Sequence, residues 1–104
     1  MTALKMTAAQ ARERVRAIAA DSGNLRWSQH IRQRMEQRGF DDGDVLRVLR
    51  TGDVENAPSA GKEPGEWKIK LTKTMSGGRV AGVLTVLLVG GKLRLVTVEW
   101  EDHR

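Results

Sequence analysis

The sequence contains no cysteine and no tyrosine, and only one phenylalanine and two prolines occur in its 104 residues. Without cysteine, a disulfide framework and a thiolate metal site are both excluded. No apolar run approaches the roughly 20 residues of a membrane-spanning helix, and the chain does not open with a signal-peptide pattern. The two histidines, His30 and His103, are too far apart in the sequence to indicate a metal site by themselves. We therefore expect a cytoplasmic protein without a cofactor and without contact to a membrane.

Positive charge is present in excess. Eighteen lysines and arginines stand against thirteen acidic residues, which gives a formal net charge of +5 and a pI of about 10.2. Arginine binds phosphate and carboxylate groups in a forked, two-point geometry. This balance indicates a nucleic acid or an acidic protein as a partner, although basic residues also serve solubility alone.

Three helices are expected in the first half of the chain. Thr7 opens a capping box before an alanine-rich apolar stripe, which ends in the sequence D-S-G-N at 21–24. Ser28 caps a second helix that ends at Gly39, and Asp41 caps a third. Because the first stripe is rich in alanine, it buries only a modest area and that helix could be peripheral.

Strands are expected in the second half. The alternating segment at 66–74, the apolar segment at 79–89 and the segment at 92–100 each have strand character. Gly90-Gly91 is typical of a two-residue hairpin, and Val54–Glu55 could be a short edge strand before a proline- and glycine-rich loop.

The order of these elements predicts an α+β fold. Two to three N-terminal helices would pack on a three- to four-stranded antiparallel sheet. The length fits a single domain over 1–104, with an additional N-terminal helix at 1–24 and a core at 25–102.

The second helix carries the strongest functional signal, in the sequence S-Q-H-I-R-Q-R-M-E-Q-R-G at 28–39. His30, Arg34 and Arg38 recur every four residues, so they form one cationic ridge beside the apolar Ile31 and Met35. The ridge should lie at the margin of the seam between helix and sheet. Arginine can hold a phosphodiester, and histidine can move a proton to or from a ribose hydroxyl. We predict His30, Arg34 and Arg38 as catalytic groups, with no metal.

Other residues are candidates for binding the substrate. Trp27 or Trp100 could stack on an unpaired base, and Arg79 could assist at the phosphate. A carboxylate of the C-terminal cluster and His103 could act as base and acid if the sheet brings them near His30; the carboxylates there are Glu99, Glu101 and Asp102. A basic stripe on the solvent face of the sheet would suit contacts to an RNA backbone, and its candidates are Lys68, Lys70, Lys73 and Arg94.

Structural alternatives remain open for each of these groups. His30 could be an ordinary capping or packing residue, and His103 could belong to a frayed polar tail. Arg34 and Arg38 could simply fix the corner between two helices by pairing with nearby acids, namely Glu36, Asp41, Asp42 or Asp44.

The segment H-I-R-Q-R-M-E-Q-R-G-F-D-D-G-D-V resembles a family of short bacterial domains with the signature H-A-x-x-R-M-x-x-R-G-I. That family is related to the RelE/ParE-like toxin superfamily and to BrnT toxins. The resemblance covers about residues 26 to 100. The positions that match the pattern are His30, Arg34, Met35, Arg38, Gly39 and Val45.

The resemblance implies two helices on a curved antiparallel sheet and the toxin half of a toxin–antitoxin pair. RelE-like toxins cut mRNA without a metal, often on the ribosome, whereas ParE-like relatives inhibit gyrase. Because this chain has no tyrosine, the RelE active site does not carry over. We expect a metal-independent endoribonuclease acting on mRNA. The alternatives are a non-catalytic module that binds an acidic antitoxin or a nucleic acid, and a purely structural domain.

Overall fold

The computed structural model describes residues 5–101, which form three α-helices and five β-strands. Short 3-10 turns lie at Ser22–Asn24 and Ser76–Gly78. In chain order the elements are α1 (Ala8–Ala19), β1 (Leu25–Arg26), α2 (Gln29–Arg38), α3 (Asp42–Thr51), β2 (Ser59–Ala60), β3 (Trp67–Thr74), β4 (Val80–Leu87) and β5 (Leu93–Trp100).

The three helices begin where short-range capping bonds form. The side chain of Thr7 accepts from the Gln10 N–H, and the side chain of Ser28 accepts from the Ile31 N–H. Asp41 opens α3 with a reciprocal capping box. Gly39 ends α2 in the left-handed region, at φ 73°, which costs glycine less than other residues. The predicted helix boundaries are therefore confirmed.

The sheet has five strands in the order β1-β5-β4-β3-β2. The α+β class is confirmed, but the sheet is mixed, because β1 pairs parallel with β5. β1 and β2 have only two residues each, too few for a periodic pattern in the sequence. The predicted edge strand at Val54–Glu55 does not form. Asp53 instead makes an isolated bridge to Thr72, and the edge strand beside β3 is β2.

Two features of the β4–β5 hairpin differ from the prediction. The turn has three residues, because the Leu88 N–H donates to the Lys92 carbonyl across Val89–Gly91. A register shift beside Leu84 then leaves an extra residue in β5. As a result Leu95 and Val98 are both buried, although strict alternation would place them on opposite faces.

The helices cover one face of the sheet and share one hydrophobic cluster with it. α1 is not peripheral, because Ala11, Val15 and Ala19 are fully buried in that cluster. The ends of α1 and α3 also exchange bonds. Arg50 Nε donates to the Ala19 carbonyl at 2.8 Å, and Arg16 Nη2 donates to the Thr51 carbonyl at 3.3 Å. The two guanidinium groups thus offset the negative ends of two helix dipoles.

None of the helices within residues 5–101 combines the length and the apolarity that a membrane crossing requires.

Candidate functional site

The helix that carries the predicted cationic ridge, α2, packs against β5. Ile31 and Met35 are buried, and α2 makes its main contacts with β5. β1 pairs with β5 only at Leu93 and Arg94, so among residues 5–101 the rest of that edge of β5 has no further strand beside it. We call this margin, between α2 and the free part of β5, the α2–β5 seam.

Arg38 is fixed at the C-terminal end of the α2–β5 seam. Its Nη1 donates to the Val98 carbonyl at 2.8 Å and lies 3.5 Å from Thr97 Oγ1. Both bonds use Nη1, so the N–H groups on Nε and Nη2 remain available to a ligand. The side chain is exposed but held in one place, which suits a group that must meet an anion.

Trp100 carries a layered stack next to Arg38. Its indole Nε1 donates to the Arg38 carbonyl at 2.6 Å, and its ring stacks on Phe40 with centroids 4.4 Å apart. The guanidinium carbon of Arg79 lies 4.1 Å from the Trp100 ring centroid. A base can stack on the part of the Trp100 ring that Arg79 covers only if Arg79 moves.

Arg38 and Arg79 line the same depression in the surface, which has a volume of about 430 Å³. Trp100 and Glu99 complete the lining. Glu99 also lies near Lys70, with 3.7 Å between its Oε2 and the Lys70 Nζ. Arg38 pairs with no carboxylate among residues 5–101, so it gives the depression a positive charge that favours an anion.

His30 and Arg34 lie further toward the N-terminus of α2. His30 is exposed, and its side chain has no hydrogen bond or ion pair within residues 5–101. Arg34 is half-buried, and its Nη1 donates to Gln37 Oε1 at 3.3 Å. Eight residues separate His30 from Arg38, which is about 12 Å along a helix axis. The structure thus places Arg38 in the depression and His30 two turns away, and the catalytic role of these residues stays a prediction.

The acids near the corner between α2 and α3 engage a different arginine. Arg32 pairs with Asp42, and its guanidinium carbon lies 4.1 Å from the Trp27 ring centroid. Across residues 5–101, neither Arg34 nor Arg38 pairs with a carboxylate. Arg32 therefore fixes the corner, and it also covers Trp27, the predicted base-stacking residue. The alternative in which arginines of α2 pair with acids at the corner therefore applies to Arg32 and not to Arg34 or Arg38.

On the solvent face of the sheet, the cations of the predicted basic stripe differ in whether they pair with an acidic side chain. Lys70 Nζ is 2.7 Å from Glu101 Oε1, and this hydrogen bond raises the pKa of Lys70 although partial burial opposes the shift. Gly82 makes room for the contact, since a Cβ there would come within 2.7 Å of Glu101 Oε2. Lys68 has no such partner in the described chain. Lys73 pairs in register with the buried Ala81, which places it on the helix-covered face.

Two further observations concern the other predicted groups. The described residues contain no group of three or more histidine, cysteine, aspartate or glutamate side chains able to hold a metal ion. His103, the other histidine considered as an acid or base, lies outside the described residues.

Comparison with known proteins yields one family. A family model with the description "Domain of unknown function (DUF4258)" matches residues 27–100. The match covers most of the chain and includes the α2–β5 seam and the whole depression, but it excludes α1. Comparison with curated proteins and with solved structures gave no significant match.

Proposed function

The chain belongs to the DUF4258 family, and we propose that it is a toxin-type domain of the RelE/ParE-like kind that binds single-stranded RNA at the α2–β5 seam in the cytoplasm. One observation carries the proposal. Arg38 is held by the Val98 carbonyl, has no acidic partner in the described chain, and lines a surface depression. Such a site is complementary to a phosphate group.

The contacts of Trp100 with Phe40 and Arg79 favour RNA over a simple anion as the ligand. The Arg79 guanidinium lies over the Trp100 ring, so planar groups of the kind that stack on a base stand beside Arg38, which would hold the phosphate. An acidic protein would be attracted by the positive charge of this surface, but it has no base to stack on these planar groups.

RNA binding is tested with Arg38→Gln. Labelled single-stranded RNA should bind the wild type in a fluorescence anisotropy titration, and the substitution should weaken binding by roughly tenfold at low salt. The slope of log affinity against log salt should fall by about 0.7, the value expected for one lost phosphate contact on a single strand.

Arg14→Gln is the matched control. Arg14 is an exposed arginine of α1 without a partner in the part of the chain described, so the change in net charge is the same. Equal affinities and slopes for Arg38→Gln and Arg14→Gln would overturn the proposal. Preferential, Arg38-dependent binding of polyglutamate would favour an acidic protein partner instead.

Endoribonuclease activity is the second candidate function, and the free His30 side chain favours it. His30 would take the proton of a ribose 2′-hydroxyl as that oxygen bonds to phosphorus and the bond to the 5′-oxygen breaks. The departing oxygen takes a proton from water. Arg34, one helical turn from His30, would stabilise the negative charge that grows on the phosphoryl oxygens, and Arg38, two turns away, would hold a neighbouring phosphate of the strand.

Cleavage is tested with His30→Ala. The wild type should cut RNA, free or bound to ribosomes, in the presence of EDTA, and its expression should arrest growth. His30→Ala should abolish both effects while RNA affinity stays within about twofold of the wild type. If the wild type cuts neither substrate and does not slow growth, the cleavage proposal fails and RNA binding is judged by the Arg38 experiment alone.

A further inference from the structure

Two arginines lie side by side on the solvent face of the sheet. Arg26 of β1 pairs in register with Arg94 of β5, and both are exposed. Their neighbours Leu25 and Leu93 form the adjacent pair and are buried on the opposite face. The local pairing of β1 with β5 therefore brings two guanidinium stems onto neighbouring strands, about 4.8 Å apart.

This arrangement is electrostatically unfavourable in the isolated protein. Like charges on directly paired residues destabilise a sheet. The side chain of Arg26 has neither a hydrogen bond nor an ion pair to any residue from 5 to 101. Arg94 has one acidic neighbour, Glu66, whose Oε1 lies 4.0 Å from Arg94 Nη2. Most of the positive charge of the pair thus remains uncompensated.

A third cation extends the pair across the sheet. Val86 of β4 is paired with Arg94 on one side and with Lys68 of β3 on the other. Lys68 is exposed and has no partner among the residues described. We call Arg26, Arg94 and Lys68 the cross-strand row. The next cation along β3, Lys70, differs because Glu99 and Glu101 neutralise it.

We propose that the cross-strand row is a second phosphate-binding site, which holds the backbone of the same RNA that occupies the α2–β5 seam. The proposal rests on the function proposed above. Arg26 stands two residues before Ser28, the cap of α2, so the row meets the seam at its N-terminal end. From Arg94 to Val98, the contact of Arg38, β5 spans about 13 Å. A strand of several nucleotides can therefore reach both sites, whereas a dinucleotide cannot.

The experiment compares Arg26→Gln, Arg94→Gln and the double variant on a labelled 12-nucleotide RNA and on a labelled dinucleotide. Each single variant should weaken binding of the 12-mer by about three- to tenfold. The double variant should lower the salt slope by about 1.4, which corresponds to two phosphate contacts. Affinity for the dinucleotide, which occupies the seam alone, should not change.

Arg14→Gln, which removes one positive charge from α1 and lies outside the cross-strand row, is the control, and its affinity for the 12-mer should stay within about twofold of the wild type. Stability gives an independent readout. Since Arg26 has no partner in the described chain, Arg26→Gln should raise the thermal midpoint at low salt by relieving repulsion from Arg94.

The outcomes separate the two proposals. If Arg38→Gln loses affinity while Arg26→Gln and Arg94→Gln bind the 12-mer as the wild type does, the cross-strand row is not a binding site and the proposed function stands. If the row variants lose affinity and Arg38→Gln does not, the row is supported as a site without the seam. If the wild type binds neither RNA, both proposals are overturned.

Discussion

Lys70 shows how a single neighbour decides whether a surface cation is available to a ligand. From sequence, Lys68 and Lys70 are equivalent, because both point to the solvent face of β3. In the structure, Glu101 folds back over Gly82 and engages Lys70, whereas Lys68 has no partner in the described chain. Only Lys68 therefore contributes an uncompensated charge to that face.

The same contact predicts a difference in stability with pH. Because the pKa of Lys70 is raised above its ordinary value of 10.5 in the folded state, its ion pairs stabilise the fold fully below that pH. The contribution is lost as the pH rises through the folded-state pKa. Lys70→Met should therefore lower the free energy of unfolding by about 0.5 kcal/mol near pH 8, and by less near pH 12. Urea denaturation at both pH values measures the change.

Lys68→Met is the control for Lys70→Met, since it removes the same charge from the same strand and face. It should change the free energy of unfolding by less than about 0.3 kcal/mol at either pH. A Lys70→Met effect that is as large near pH 12 as near pH 8 would show that the ion pairs are not its cause.

At the scale of elements, α1 is the part whose importance is least visible in the sequence. Its stripe is mostly alanine, and the family match begins after it, at residue 27. Nevertheless small side chains allow α1 to approach α3 closely, so that Ala11, Val15 and Ala19 are completely buried. The exchanged bonds of Arg16 and Arg50 then join the two helix ends.

Val15→Ala tests whether α1 is part of the core. Removing two buried methyl groups should lower the free energy of unfolding by about 2 kcal/mol, measured by urea denaturation. Val89→Ala is the matched control, because Val89 is 73% exposed and its truncation should cost less than about 0.5 kcal/mol. Equal, small effects of the two substitutions would mean that α1 is a dispensable addition.

At the scale of the whole molecule, the net charge of +5 is unevenly distributed. Acids neutralise Arg12, Arg32 and Lys70 on three different parts of the surface. The cations that remain without an acidic partner in the described chain include Arg34 and Arg38 along the seam, and Arg26 and Lys68 in the cross-strand row. The ion pairs that form in the folded structure therefore decide which cations remain available to a polyanion.

The shared core predicts cooperative unfolding of the whole molecule. Trp27, Trp67 and Trp100 report on different ends of the sheet, whereas far-UV circular dichroism reports mainly on the helices. Since one hydrophobic cluster joins all three helices to β3, β4 and β5, both signals should follow the same urea transition. Two separated transitions would show that α1 or the sheet unfolds as an independent unit.

The sequence by itself determined the features that depend on nearby residues. The caps at Thr7, Ser28 and Asp41 are formed with partners three residues away, so the pattern predicts them directly. The alternation of β3 and the ridge of His30, Arg34 and Arg38 follow equally from local geometry. The α+β class follows from the order of these elements.

Only the tertiary structure decided which groups meet. Arg38 finds its acceptors 59 and 60 residues away in β5, and the extra residue of β5 sets which of its side chains face the core. β1 is too short to have a periodic pattern, so the pairing of Arg26 with Arg94 could not be predicted. The physical reason is the same in each case. Capping depends on bonds within one turn of the chain, whereas these contacts depend on how strands register across the whole sheet.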